Sequence, residues 1–402
     1  MSESGFILLE DGTRFPGRVI GGERLEVGEV VFQTGMSGYQ EVISDPSYRG
    51  QIVTFTSSHI GNTGMNGLDD EAPQPSISGI IVKSLTEVPS SWRSSESLPD
   101  YLARHNIPCL SGVDTRALTR HLSRHGAKAG VIARASTSEA EAQKAIQAWP
   151  GLVGRDLVSE VTAGREFPNQ NREEAWDSWN RATTGSATVA SATGGEALPL
   201  QGTRLTVIHC GAKEGILDAL HERGAEVAVL PSTARHNEIL ATTPHAVLVS
   251  NGPGDPEALE ELVSEVRELL GKVPLFGICL GFQVLALALR ASTYKMKFGH
   301  HGINHPVQDL RTERVWVTSQ NHGFAVDPKT LPPEAVETHR SLNDGTCEGF
   351  EVPSLGVAAL QFHPEAQAGP HDGLPWFDSL NRFRSQFQEI DTASGAVGGD
   401  HS

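Results

Sequence analysis

The stretch Pro274-Leu275-Phe276-Gly277-Ile278-Cys279-Leu280-Gly281 decides how the second half of this chain is read. An apolar run of strand length ends on a cysteine, glycines stand two residues before and after it, and a helical pattern begins at once. Glycines on both sides permit the tight turn that lifts a side chain out of a sheet, the geometry of a nucleophile elbow. The helix that follows offers free N–H groups and the positive end of its dipole, and both favour a thiolate. For Cys279 taken alone, a buried structural cysteine is the competing reading.

Around the elbow the pattern alternates. Strands are predicted at 205–210, 226–230, 245–250 and 273–279, and helices over 212–223, 256–270 and 280–291. Such alternation predicts an α/β domain over 204–390, a mostly parallel sheet flanked by helices. Ligands of such sheets collect at the carboxyl ends of the strands, which directs attention to two more places. Leu360-Gln361-Phe362-His363-Pro364-Glu365 runs from an apolar strand into a base and an acid, and Pro364 biases His363 towards extended backbone. A cysteine nucleophile needs a base, and the base needs a third group to fix its tautomer, so Cys279, His363 and Glu365 form the candidate catalytic set. Ser250-Asn251-Gly252-Pro253-Gly254-Asp255-Pro256 is a strand-to-helix turn able to offer N–H groups to an oxyanion. It lacks the Gly-Lys-Ser/Thr of a Walker phosphate loop.

The first half reads differently. Strand-like runs at 5–10, 29–33, 51–55 and 77–83, mixed with helical patterns at 98–105 and 115–125, predict an α+β domain over 1–150. Residues 151–203 connect the halves. Their 164–202 portion turns polar and then low in complexity (ATTGSATVASATGGEALPLQG at 182–202), which predicts a mobile linker. A polar tail is expected over 391–402, where Asp391 and Asp400 belong to a solvated end.

Length and charge agree with two or three soluble domains, since 402 residues exceed one domain of ~100–200 residues. Lys plus Arg number 32 against 49 Asp plus Glu, and a net charge of −17 repels phosphate backbones and anionic lipid, so no nucleic acid partner is expected. Cys109, Cys210, Cys279 and Cys347 are scattered, with no C-x-x-C pair and no close Cys/His spacing of the zinc kind, so neither a disulfide scaffold nor a metal site is expected. The N-terminus MSESGFILLEDG has no basic region leading into an apolar stretch, and no apolar run approaches the ~20 residues that cross a bilayer. Cytoplasm and no membrane partner are the expectation.

Together, G-x-C-x-G around Cys279 and the His363-Pro364-Glu365 ending resemble the triad, or class I, glutamine amidotransferases. The resemblance narrows with Lys295-Met296-Lys297-Phe298-Gly299-His300-His301-Gly302-Ile303-Asn304-His305-Pro306 and Ser319-Gln320-Asn321-His322-Gly323-Phe324-Ala325-Val326, which are similar to the small subunit of carbamoyl-phosphate synthetase. In the first half Gly28-Glu29-Val30-Val31-Phe32, Gly38-Tyr39-Gln40-Glu41, Asp45-Pro46-Ser47-Tyr48, His59-Ile60-Gly61-Asn62 and Asp114-Thr115-Arg116 carry the same likeness. It covers nearly the whole chain except the linker and the last dozen residues.

The resemblance implies an N-terminal small-subunit domain ahead of a class I glutamine amidotransferase domain. It implies that Cys279 attacks the side-chain amide of L-glutamine, that His363 is base and acid, and that Glu365 orients His363. It places glutamine contacts on Ser47, Gly252, Gly254, Leu280, Gln283, Asn321, Gly323 and Phe324, with the N–H groups of Gly252 and Leu280 as oxyanion hole. No ATP motif stands in this chain. The ATP and Mg chemistry of carbamoyl phosphate synthesis, for arginine and pyrimidine biosynthesis, is therefore expected on a separate large subunit that receives the ammonia, in a heterodimer able to form higher assemblies. No cofactor is expected here.

Several residues depart from the family pattern. Phe282 stands where a His is usual, Arg290 replaces a small residue, His209-Cys210 and Glu214-Gly215 alter the first strand and helix of the second domain, and Gln367-Ala368 replaces Ser-Pro. A catalytically silent scaffold, a diverged paralogue, or an amidotransferase feeding another synthase are the competing expectations.

Overall fold

A computed structural model describes residues 3–23, 25–163 and 198–397, with side chains described as far as Phe387. Most of the predicted linker (164–197) and the end of the predicted tail (398–402) lie outside the described residues.

The first half closes into a seven-stranded barrel. Its strands are β1 (Glu3–Leu9), β2 (Arg14–Gly21), β3 (Val27–Gln33), β4 (Gln51–Phe55), β5 (Gly79–Val82), β6 (Pro108–Ser111) and β7 (Lys128–Arg134), ordered β1-β2-β6-β5-β4-β3-β7. Closure removes the exposed sheet edges that such short strands would otherwise present. Helices α1 (Tyr39–Ser44), α2 (Leu98–Arg104), α3 (Thr115–His125) and α4 (Glu139–Ala148) cover it. The α3 pattern is simple to trace: Asp114 caps the first turn by accepting from Ala117 N at 2.9 Å, Leu118 and Leu122 face the core, and Arg124 and His125 sit at the negative end.

The second half is one nine-stranded sheet. Its strands are β8 (Arg204–His209), β9 (Glu226–Pro231), β10 (Ala246–Val249), β11 (Leu275–Ile278), β12 (Thr293–Asp309), β13 (Val315–Val326), β14 (Val336–Ser341), β15 (Cys347–Val352) and β16 (Val357–Leu360), in the order β13-β12-β14-β15-β16-β11-β10-β8-β9. From β16 to β9 every pairing is parallel; β8, β9, β10 and β11 are the strands the alternation predicted, and β16 is the strand that leads to His363. The arm β12–β15 pairs antiparallel. Its pattern is poorly legible because β12 and β13 carry many polar residues on buried positions and slip register twice against each other.

After α5 (Val158–Thr162), helices α6 (Glu214–His221), α7 (His236–Ala241), α8 (Glu260–Leu269), α9 (Leu280–Ala288) and α10 (Pro375–Val397) follow. The helix predicted from Pro256 is two pieces: a 3-10 turn over Pro256–Ala258, then α8, separated by the non-helical backbone of Leu259. The α9 helix ends at Ala288, three residues before the predicted end, because Arg290 turns left-handed at φ 67°. Residues 391–397 of the predicted tail continue α10. Near the end of the predicted linker, Leu200 is buried among Leu205, Leu217 and Leu220. The preceding segment seams the two halves: Val158 packs with Ile208 and Cys210, and Gly154 N donates to Asp255 Oδ2 at 2.9 Å.

Four of the departing residues have a structural account. His209 is buried, and its Nδ1 accepts from the amides of Gly211 at 3.2 Å and Ala212 at 2.9 Å, closing the loop after β8 as a carboxylate would. Phe282 is buried in the core with its ring 5.0 Å from that of Phe350. Gly215 and Gln367 belong together, since a Cβ on Gly215 would lie 2.4 Å from Gln367 Cγ. Gly215→Ala is therefore expected to destabilise by about 1–3 kcal/mol through overpacking. In a Gln367→Ser background the same change is expected to gain up to about 1 kcal/mol, because Ala is the better helix former. Urea unfolding of the two singles and the double reads the cycle, and additive effects would remove the contact from the account.

Candidate active site

Cys279 links β11 to α9 at φ 56° and ψ −103°, a strained conformation for a residue with a Cβ. The strain is held by close packing: a Cβ on Gly281 would sit 2.0 Å from Val249 O, and one on Gly277 2.6 Å from the backbone of Gly281. Only glycine fits at either place, so the elbow is fixed by contact with the neighbouring strand as well as by chain direction. Cys279 is 2% exposed, its N–H donates to Leu360 O at 2.8 Å, and its Sγ donates to Asn321 O at 3.5 Å.

His363 and Glu365 leave the end of the neighbouring strand β16, as their sequence position predicted. His363 Nδ1 meets Glu365 Oε1 at 2.7 Å, and among the described residues its Nε2 has no hydrogen-bond partner. Both side chains are buried. Burial by itself would lower the proton affinity of His363, but the charge of Glu365 and the nearby Cys279 sulfur raise it to about 10. Burial would raise Glu365, yet Lys213 and then His363 hold it at about 2. The arrangement thus keeps a proton on an imidazole beside a sulfur, ready to be given or taken.

The sequence reading missed Lys213. Its ammonium is buried between Glu365 Oε1 at 3.0 Å and Glu71 Oε1 at 3.2 Å, and its amide donates to Asn251 Oδ1 at 3.0 Å. Desolvation works against the charged form, but Glu365, Glu71 and Asp45 outweigh it and raise the lysine above its ordinary value. Glu71 comes from the barrel half and also accepts from Gly215 N at 3.0 Å through Oε2. A signal was available for Lys213, which stands four residues past the end of β8 on the ligand side of the sheet. None marked Glu71.

A pocket opens over Cys279. Ser47, Gly252, Gly254, Gln283, Asn321, Gly323 and Phe324 line it, joined by Lys295 and by Arg49 and Gln51 of the barrel half. Leu280, the remaining predicted contact, is buried behind this lining at the first position of α9. Ser47 reaches the site through Asp45: one carboxylate oxygen accepts from Ser47 N at 2.8 Å, the other from Asn321 Nδ2 at 2.9 Å. Ser47 Oγ accepts from Asn251 Nδ2 at 2.9 Å, which leaves its proton for another acceptor. Asn321 is locked at its other end by His301 Nδ1 at 3.0 Å, and burial holds His301 neutral by lowering it to about 3. Gln283 Nε2 is taken by Phe324 O and Gln361 Oε1, each at 2.9 Å, so it shapes the wall. Gly252 approaches the backbone closely enough that a Cβ would lie 2.2 Å from Cys210 O.

Comparison with known proteins accords with this geometry. Residues 7–132 match the family model described as carbamoyl-phosphate synthase small chain, CPSase domain, and residues 206–383 match glutamine amidotransferase class-I. The carbamoyl phosphate synthase small chain of Xanthomonas axonopodis pv. citri is 44% identical over 94% of this chain and 97% of its own. That of Thioalkalivibrio sulfidiphilus is 46% identical over 92% and 95%, and that of Escherichia coli strain K12 is 42% identical over 97% and 99%.

Two outcomes follow for the buried charges. Lys213→Met leaves Glu71 and Glu365 buried without their shared cation and is expected to cost about 3–5 kcal/mol in urea unfolding. The proton affinity of folded His363 lies above the ordinary 6.5, so its contribution to stability is complete below about pH 6.5 and is lost as pH rises through about 10. Glu365 lies below the ordinary 4.5, so its contribution is present above pH 4.5 and is lost as pH falls through about 2. Unfolding measured at pH 7 and pH 10 is expected to show a smaller alkaline loss in His363→Gln than in the wild type, and equal losses would contradict the pairing.

Proposed function

The chain belongs to the carbamoyl phosphate synthase small chain family and is a glutamine-hydrolysing amidotransferase, and from that premise we propose that Cys279, His363 and Glu365 act as its catalytic triad. The observation that carries the reading is the buried His363–Glu365 pair, whose second ring nitrogen is unpartnered among the described residues beside the sulfur at the elbow.

In this reading His363 holds the proton given up by the Cys279 thiol, and the thiolate attacks the side-chain amide carbon of glutamine. The oxyanion that forms is met by the N–H groups of Gly252 and Leu280, each worth about 3 kcal/mol in the transition state. His363 then returns the proton to the leaving nitrogen, the C–N bond breaks, and ammonia departs from a γ-glutamyl thioester. Water, deprotonated by His363, attacks the thioester and releases glutamate with the thiol restored. Glu365 holds the imidazole in the tautomer that keeps Nε2 towards sulfur. Ser47, Gly254, Asn321, Gly323 and Phe324 form the glutamine pocket, and Gln283 shapes its wall.

Ammonia passes to a separate large subunit, which uses ATP and Mg to make carbamoyl phosphate for arginine and pyrimidine biosynthesis in the cytoplasm. The proposed functional unit is that heterodimer. Among the described residues no helix is long and apolar enough to cross a membrane.

The test is glutamate release by the chain mixed with its cognate large subunit, bicarbonate and ATP, beside the Cys279→Ser variant. Wild-type release is expected to rise with ATP and bicarbonate. In the variant it is expected to fall by on the order of ten-thousand-fold, while synthesis driven by added ammonia persists. Equal, minimal release from both proteins would point to a scaffold instead.

A further inference from the structure

Behind the pocket wall formed by β13 lies a second buried cluster that the amidotransferase chemistry does not use. His300 is on β12, His322 on β13 and Glu348 on β15, and all three are buried. Each offers one ligand atom, and the three atoms lie within 4.8 Å of one another. His300 Nδ1 is 3.3 Å from Glu348 Oε1, and His322 Nε2 is 3.9 Å from the same oxygen. Ligands about 2.0–2.2 Å from a tetrahedral zinc ion stand roughly 3.4 Å apart, so small side-chain adjustments bring the three onto one ion.

The outer hydrogen bonds are those of metal ligands. Histidines that bind a metal through one ring nitrogen usually give the other N–H to a carboxylate or a backbone carbonyl. Here His300 Nε2 meets Asp344 Oδ2 at 2.9 Å, and His322 Nδ1 donates to Phe324 O at 2.8 Å. The second oxygen of Glu348 accepts from Gln320 Nε2 at 2.9 Å. Because a carbonyl only accepts, the Nδ1 of His322 must carry a proton, and in the neutral ring Nε2 is then a bare lone pair facing a carboxylate oxygen. Among the described residues that nitrogen has no hydrogen-bond partner, and neither has Nδ1 of His305, whose ring is 5.3 Å from that of His300. Glu348 Oε1 also accepts from the Thr346 hydroxyl at 3.3 Å, but the His322 lone pair has no such donor, and a cation between the two acceptors would answer both.

We propose that His300, His322 and Glu348 bind one divalent transition-metal ion, with His305 or water as fourth ligand, and that the ion ties β12, β13 and β15 together behind the pocket. Two nitrogens and one carboxylate oxygen suit zinc. Asp344, whose side chain is 42% exposed, marks the route from solvent. A proton shared between His300 and the two carboxylates is the metal-free alternative, but it leaves the lone pair of His322 unanswered.

The experiment strips the full-length chain with a chelator, adds zinc chloride, dialyses, and measures metal content, with cobalt(II) substituted for its visible spectrum. About one zinc per chain is expected in the wild type, together with a melting temperature that rises with free zinc. Glu348→Gln keeps the shape of the side chain but removes the anionic ligand and is expected to lose the ion. Asp344→Asn, at a partly exposed position that should not endanger folding, is expected to weaken zinc binding roughly 10- to 100-fold. A wild type that retains no zinc, or zinc retained undiminished in both variants, would overturn the proposal. None of these readouts depends on glutamine hydrolysis, so the site and the triad can fail separately.

Discussion

The ammonium of Lys213, buried between Glu71 of the barrel half and Glu365 of the sheet half, is the interaction on which the rest of the site depends. A buried charge is tolerated only when it is paired, and here one cation answers two carboxylates that would otherwise have to take up protons. Through Glu365 it reaches His363, and through His363 the sulfur at the elbow. Through Glu71 it reaches the amide of Gly215 and thus the first turn of α6. The two halves are therefore joined through the electrostatics of the proposed reaction centre as well as by surface contact.

A second tie runs beside it. Asp45 holds Ser47 with one oxygen and Asn321 with the other, and Asn251 links Ser47 to the loop that carries Gly252. The pocket walls consequently come from the turns after β10 and β11, from β12 and β13, and from Ser47, Arg49 and Gln51 of the barrel half, and the polar contacts just named position them. Polar groups fixed before substrate arrives need no reorganisation when charge develops, which is where an active site gains most. The strain at Cys279 fits the same pattern, since close contacts at Gly277 and Gly281 hold it in place.

Residues that depart from the family pattern are accommodated locally. His209 closes its loop with a ring nitrogen, Phe282 fills core space beside Phe350, and Gly215 gives room to Gln367. A Cβ on Gly38 would likewise lie 2.4 Å from Cβ of Ala368, which brings the other residue of that altered pair against the barrel half. Among the described residues none of these is hydrogen-bonded directly to Cys279, His363 or Glu365.

Local patterning was enough for the parallel half of the sheet, the elbow and the strand end that carries His363 and Glu365. The reason is that short apolar strands, flanking glycines and a His-Pro-Glu turn write their geometry into adjacent residues. Seven of the eight predicted pocket contacts line one cavity, but only the fold brings Ser47 of the barrel half next to Asn251 of the sheet half. The antiparallel arm was illegible because its buried positions are largely polar and its register slips, so hydrophobic period gives no signal there. Lys213, Glu71 and the cluster of His300, His322 and Glu348 lie far apart in sequence and carry no spacing that marks them. A charge or a ligand acquires its partner from loops and strands that only the folded chain brings together, and that is a property of tertiary structure alone.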